Sequence, residues 1–265
     1  MTDTPLIVEV DEGIGTAWLR LDRPARKNAL NGELLGALAD AFRTLRDNTA
    51  IRCIVTTGSG DSYCAGMDLH ELRDKWDRPR RWHERGPLVE LLQLVREAPQ
   101  VTIAAVNGYS LGGGLSLVNA HDIAVAGASA SFGLPEIIRG SFGNVATAAL
   151  YHEGIPRKKA AWMQLTGRRI TAPEAERLGL VSIVVSDAEL ASEARALATE
   201  IAGRDGRALE HAKMAALLGG ELDLDRAIRV DDLVAHRLRL WRNSFSDVDG
   251  YLAGQRAQAE PGLDG

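Results

Sequence analysis

Twice in this chain a strand runs through a glycine-bearing loop into the start of a helix, near residues 51–70 and again near 101–120. The first copy reads IRCIVTT, GSGDSYCAG and then a short helix from Asp68; the second reads VTIAAV, a second glycine loop and a helix over roughly 113–120. Apolar β-branched runs of this length, each followed by a helical pattern, belong to buried strands of an α/β scaffold. Repetition of the unit sets two helix N-termini beside one another. Both starts bring glycine to the helix entry, as Gly66-Met67-Asp68 in the first and the fully bare Gly112-Gly113-Gly114 in the second. Free N–H groups and the helix dipole make such places receptive to negative charge. Two amides aimed at one oxygen there would form an oxyanion hole. The plain alternative for the triple glycine is close packing of a helix on a strand.

Around these units the patterning predicts a β-hairpin from residues 6–10 and 15–21, and a helix capped by Asn31 with Leu34, Leu35, Leu38, Phe42 and Leu45 on its apolar face. A helix is expected over 87–97, and short strands over 122–126 and 130–132. Beyond about residue 144 helical patterns dominate (144–152, 157–165, 173–178, 188–203, 206–218, 223–241 and 247–256), with one strand at 181–185. Thr171-Ala172-Pro173-Glu174 reads as a helix start with proline in the first turn. The expected division is a catalytic core over 1–200 and a helical C-terminal region over 201–265 that serves oligomerisation or covers the site.

Charge and cysteine usage bound the function classes. With 31 Lys+Arg against 36 Asp+Glu the net charge is −5, which argues against a duplex nucleic-acid partner, since phosphate binding needs clustered cations. The one dense basic stretch, Arg73 to Arg85, is interrupted by Asp74, Asp77 and Glu84. It reads as a solvated helix face or as a contact for an anionic ligand. Two cysteines, Cys53 and Cys64, are too few for a disulfide framework or a structural zinc site. No signal peptide and no membrane-length apolar run is expected, so the default location is cytoplasmic. Neither a metal cluster nor a nicotinamide fingerprint is readable, and no cofactor is expected.

Residues 108–112, Gly-Tyr-Ser-Leu-Gly, also fit the nucleophile elbow of a serine hydrolase, with Ser110 as nucleophile and His152, His211 or His236 as formal bases. Against it, an upstream HGGG-type oxyanion motif is missing and these histidines fall in helical patterns.

Five blocks in order resemble the crotonase superfamily, the enoyl-CoA hydratase/isomerase family: LDRPARKNALN (21–31), SYCAGMDLHEL (62–72), AAVNGYSLGGGLSL (104–117), DIAVAGASASFGLPEIIRG (122–140) and LTGRRITAPEAERLGLVS (165–182). The resemblance implies an α/β fold, a crotonase-like spiral of ββα units with a helical C-terminal region, an acyl-CoA thioester substrate, and a homo-oligomer, either a trimer or a dimer of trimers. It assigns the oxyanion-hole amides to Met67 and Gly113, with Ser110 left as a turn residue. It makes Glu136, in Phe132-Gly133-Leu134-Pro135-Glu136, an acid/base; the alternative is a helix-start carboxylate stabilised by the dipole. The family's other glutamate falls on Ser116, which can orient a water but cannot deprotonate it, or is simply a small buried residue. Coenzyme A contacts carried over by resemblance are Arg26 and Lys27 for phosphates, and backbone around Ala65, Asp68 and Leu69 for adenine. Asp68 also reads as a helix N-cap.

The expected reaction is hydration of a 2-enoyl-CoA to a 3-hydroxyacyl-CoA with a single glutamate. The alternatives are hydroxycinnamoyl-CoA hydratase-lyase chemistry, Δ3–Δ2 enoyl-CoA isomerisation, a hydrolase or decarboxylase of the same fold, and a relative that binds acyl-CoA with reduced catalysis. Ser116 with Glu136, Ala65-Gly66-Met67-Asp68-Leu69 and Gly143-Asn144 resemble the lyase branch, whereas Leu72 stands where that branch has a phenol-gripping tyrosine. The C-terminal stretch Gly250 to Arg256 matches only part of the family's usual pattern. Trp76, Trp82, Leu88, Phe142 and Trp162 are candidates for the acyl pocket or for core packing.

Overall fold

The computed structural model describes residues 4–75, 84–152, 155–220 and 222–241, with backbone alone for 73–75. Most of the basic stretch after Arg73, with Trp76 and Trp82, lies outside the described residues, as do the expected helix 247–256 and the stretch Gly250 to Arg256. The chain divides into two compact units, Met1–Leu209 and Glu210–Gly265.

The predicted hairpin is present. Strands β1 (Leu6–Asp11) and β2 (Thr16–Leu21) pair antiparallel with Leu6 opposite Leu21. Asn31 caps α1 (Gly32–Arg46), its side chain accepting from the Leu34 N–H at 2.9 Å, and Leu34, Leu35, Leu38, Phe42 and Leu45 are buried as their spacing requires.

A repeated unit then organises the first compact body. Strand β3 (Cys53–Gly58) is followed by β4 (Ser62–Cys64) and α2 (Leu69–Lys75). After α3 (Pro87–Arg96), β5 (Val101–Val106) is followed by β6 (Tyr109–Leu111) and α4 (Gly113–Asn119). A third pass gives β7 (Ile123–Gly127), β8 (Ser131–Gly133) and a 3-10 helix, Pro135–Arg139. Each pass sends its first strand to one sheet and its second to another, which is the ββα spiral the sequence led us to expect. The rest of the chain adds α5 (Asn144–His152), α6 (Arg157–Thr166), β9 (Ile170–Thr171), α7 (Ala172–Arg177), β10 (Ile183–Val185) and α8 (Leu190–Ala202). Helices α9 (Gly206–Gly219) and α10 (Leu224–Trp241) complete the described chain.

The larger sheet has the order β1-β2-β3-β5-β7-β10, parallel from β2 onward; the smaller has the order β4-β6-β8-β9, with β4, β6 and β8 parallel. Alternation along the large strands divides the core. Cys53, Val55, Ile103, Ala105 and Val125 pack on one face against Leu190, Ala194, Ala198 and Ala202 of α8. Ile54, Ala104, Val106 and Ala126 face the main core with α1, α3 and α4. Burial on both faces explains why these strands read as unbroken apolar runs. No helix among the described residues is long and apolar enough to cross a membrane.

Candidate active site

Three parallel strands of the small sheet end beside one another, and each runs within three residues into a candidate site residue: β4 into Met67, β6 into Gly113 and β8 into Glu136. Met67 sits in a one-residue bridge to Leu30. The Leu30 N–H donates to the Gly66 carbonyl at 2.8 Å, and the Asp68 N–H donates to the Leu30 carbonyl at 2.9 Å. Among the described residues the intervening Met67 N–H finds no acceptor. Gly113 opens α4 behind Gly112, which adopts φ 52° and ψ −115°, and the Gly113 N–H is likewise without an acceptor.

The glycines allow these two peptides to meet. Gly66 has φ +94°, and a Cβ there would lie 2.7 Å from the Leu111 carbonyl oxygen and 3.4 Å from the Gly113 nitrogen. A Cβ on Gly113 would lie 3.6 Å from Cγ of Met67, 3.3 Å from Cδ2 of Leu88 and 3.5 Å from Cδ1 of Leu30. Two orphan amides therefore stand within an apolar wall, an arrangement able to hold one partly negative oxygen.

Glu136 completes the cluster. A Cβ on Gly112 would lie 2.1 Å from its Oε1, and one on Gly143 would lie 3.3 Å from its Oε2, so the carboxyl is seated between two glycines. Its Oε2 is buried with no hydrogen-bond partner among the described residues. Burial raises the carboxyl above its ordinary pKa; its own backbone amide and Arg139 pull the other way without cancelling the effect. Ser116 is buried on α4, and its hydroxyl makes only a long bond, 3.4 Å, back to the Gly112 carbonyl. Carboxyl and hydroxyl thus touch the same residue, and one oxygen is left with nothing to bond.

The sequence model of the enoyl-CoA hydratase/isomerase family matches residues 11–237. The chain belongs to that family. It is similar to a probable enoyl-CoA hydratase of Mycobacterium tuberculosis, 34% identical over 94% of this chain and 93% of that protein. It is also similar to the crotonyl-CoA hydratase of Syntrophomonas wolfei, 34% identical over 85% and 86% of the two chains. Among solved structures, an enoyl-CoA hydratase of Mycobacterium smegmatis superposes with a TM-score of 0.87 at 30% identity, covering 94% of this chain and 96% of that one. The two-sheet α/β architecture described above is therefore the crotonase fold.

Membership in an enoyl-CoA hydratase/isomerase family leaves no place for the hydrolase elbow, and the geometry agrees. Ser110 is a fully buried strand residue paired with Phe132 and Cys64, and among the described residues its hydroxyl has no hydrogen-bond partner and so no base beside it. Burial also pushes the neighbouring Cys64 thiol up to about 12, which removes it as a nucleophile at neutral pH.

The residues carried over for coenzyme A fall on two adjacent segments, 26–30 and 65–69. The Ala65 N–H donates to the Lys27 carbonyl at 2.9 Å, and the Lys27 Nζ lies 2.5 Å from Oδ2 of Asp61. Arg26 is exposed at the end of a short 3-10 turn, and Leu69 is 49% exposed at the start of α2. Asp68 departs from expectation in one respect. Its carboxylate does cap α2, accepting from the His70 N–H at 3.1 Å, but it also turns inward to Nη2 of Arg23 at 3.0 Å. Burial alone would raise its pKa; Arg23 and the His70 and Glu71 amides outweigh that and hold it below the usual carboxylate range.

Of the apolar pocket candidates, Leu88 does reach the site, against Gly113. Phe142 is 59% exposed, and Trp162 packs partly on the core with Nζ of Lys159 4.6 Å from its ring centroid. Sequence reading missed Arg23 and the seating role of Gly112 and Gly143. The only available sign of the latter was the resemblance of Gly143-Asn144 to the lyase branch.

Proposed function

We propose that the protein hydrates a 2-enoyl-CoA to the 3-hydroxyacyl-CoA, with Glu136 as the sole acid/base. The observation that carries this reading is the Glu136 Oε2, buried without a partner between Gly112 and Gly143 and one residue from the Gly113 amide. The names of the relatives, enoyl-CoA and crotonyl-CoA hydratases, support the same reaction. The thioester carbonyl oxygen accepts from the Met67 and Gly113 N–H groups. Ionised Glu136 takes a proton from a water as its oxygen bonds to C3, and the C2–C3 π electrons pass into a thioester enolate held by the two amides. Protonated Glu136 then returns that proton to Cα, so water is added with no net change at the protein. Ser116 orients the water. Arg26 and Lys27 meet the coenzyme A phosphates, and the backbone of Ala65, Asp68 and Leu69 surrounds adenine. No further cofactor is needed for this sequence of steps. The reading includes a homo-oligomer, a trimer or a dimer of trimers, a catalytic part over 1–200 with the helical region 201–265 as its assembly or covering element, and a cytoplasmic location.

Ser116 in place of a second carboxylate favours one alternative, Δ3–Δ2 isomerisation, which a single carboxylate performs by moving a proton between carbons. The test is to incubate the pure protein with crotonyl-CoA, 4-coumaroyl-CoA and a 3-enoyl-CoA, with Glu136→Gln as control. A water adduct of crotonyl-CoA that the variant does not form supports hydration. An aldehyde with acetyl-CoA from the second substrate would make it a lyase, and turnover of the third alone an isomerase. Binding of all three without turnover would make it an acyl-CoA-binding relative.

A further inference from the structure

The structure assigns a positioning role to the Arg23–Asp68 ion pair: it sets the place of the Met67 amide in the oxyanion hole. This inference rests on the reading of Met67 as an oxyanion donor. The Met67 peptide is suspended between Gly66 and Asp68, and both neighbours are tied to the backbone of Leu30. Where Met67 sits therefore depends on how segment 23–31 is held against segment 65–68.

Arg23 holds both. Its Nη2 meets Oδ2 of Asp68 at 3.0 Å, and its Nη1 donates to the Ala29 carbonyl, one residue before Leu30. Its own backbone N–H donates to Oδ1 of Asn28 at 2.9 Å, while Nδ2 of the fully buried Asn28 donates to the Ser59 and Ser62 carbonyls at 2.9 and 2.7 Å. The guanidinium thus joins the residue after Met67 to the segment that bridges it, and Asn28 anchors that segment to β4. A second link, from the Gly32 N–H to Oε2 of Glu71 at 2.6 Å, is exposed and lies farther along both segments.

The choice of residue types points the same way. A buried ion pair is a poor device for stability, because the desolvation of both charges offsets most of their attraction; its attested use is to fix one register among several. Here Asp68 and Arg23 have only 9% and 19% of their side chains exposed, and the register in question is that of an amide that must face an oxygen. A guanidinium can serve Asp68 and the Ala29 carbonyl at once, which a lysine cannot do in the same planar geometry.

The test uses 4-dimethylaminocinnamoyl-CoA, whose absorption moves to longer wavelength as its thioester carbonyl gains negative character. It reports polarisation of the bound carbonyl whether or not any water is added. Wild type is expected to red-shift the bound probe. Arg23→Met and Asp68→Asn are expected to bind it with a Kd within about threefold of wild type yet lose most of the shift, and to lower kcat about tenfold or more with KM little changed. The paired substitution Arg23→Met with Asp68→Asn removes both charges while the new amide side chain can still accept from the His70 N–H that caps α2, so its thermal stability is expected to stay within a few degrees of wild type. Loss of the shift in this stable double variant supports positioning, and a full shift in it overturns the inference. Arg23→Lys, which keeps the charge and the fold, is expected to retain only part of the shift; a full shift there overturns the role given to the two-handed guanidinium. If wild type binds the probe with no shift at all, the oxyanion reading fails and this inference with it.

Discussion

At the scale of single residues, the proposed acid/base Glu136 is held in an uncomfortable place. Its folded pKa lies above the unfolded value, so the proton it holds is favoured by folding. That contribution is complete below the ordinary carboxylate range and is lost as pH rises through the raised folded value. Glu136→Gln is therefore expected to unfold at a higher temperature than wild type at neutral pH and at a similar temperature near pH 4, while losing about a hundredfold or more in kcat. Thermal unfolding across pH together with steady-state rates checks both halves. For wild type, the acid limb of kcat/KM is expected above the usual carboxylate range, since only the ionised form can take a proton from water. Gly143→Ala puts a methyl group 3.0 Å from Cδ2 of Leu134 and 3.3 Å from Oε2 of Glu136. Kinetics are expected to show kcat lowered by about ten- to a hundredfold with KM little altered, the signature of a displaced reacting group. Ser110→Ala removes a buried hydroxyl that has no partner. A gain of about 1 kcal/mol in denaturant unfolding, with undiminished activity, is expected.

At the scale of elements, most segments were legible, the short strands β7, β8 and β10 included, but not all. The hairpin, α1, β3, α3, β5 and α4 fall within a residue or two of their expected bounds, because burial on one or both faces imposes a pattern that propensity alone would not. Strands β4 and β6 hid inside what read as glycine loops. Each is three residues long and set among glycine and polar residues that read as loop, and they pair with each other and with β8. The same limit explains the site. Met67, Gly113 and Glu136 could be named through resemblance, but the Arg23–Asp68 pair spans 45 residues and carries no local mark. The triple glycine divides between the two readings its sequence allowed. Gly113 is the residue whose amide we propose as a donor, whereas Gly114 is a packing device: a Cβ there would lie 2.2 Å from the Cys64 carbonyl oxygen. Gly114→Ala is expected to destabilise the fold by roughly 3 kcal/mol, because the obstacle is backbone that cannot swing aside. Urea denaturation of the variant measures this.

At the scale of the whole molecule, the site belongs to no single stretch of chain. Successive turns of the spiral contribute one proposed participant each, Met67 from the first, Gly113 from the second and Glu136 from the third, and β10 closes the large sheet only after residue 182. Parallel neighbours such as β3, β5 and β7 are joined through long intervening segments, so their pairing bears a large loop-closure cost before any contact repays it. Catalytic competence is consequently expected late in refolding. After dilution from denaturant, helical circular dichroism is expected to return first and turnover only in a slower phase, measured by stopping the reaction at intervals. On the proposed roles, a chain interrupted during synthesis between its second and third turns would carry both donors and no acid, which makes enzymatic output a quality check on completion of the spiral as well as a measure of its chemistry.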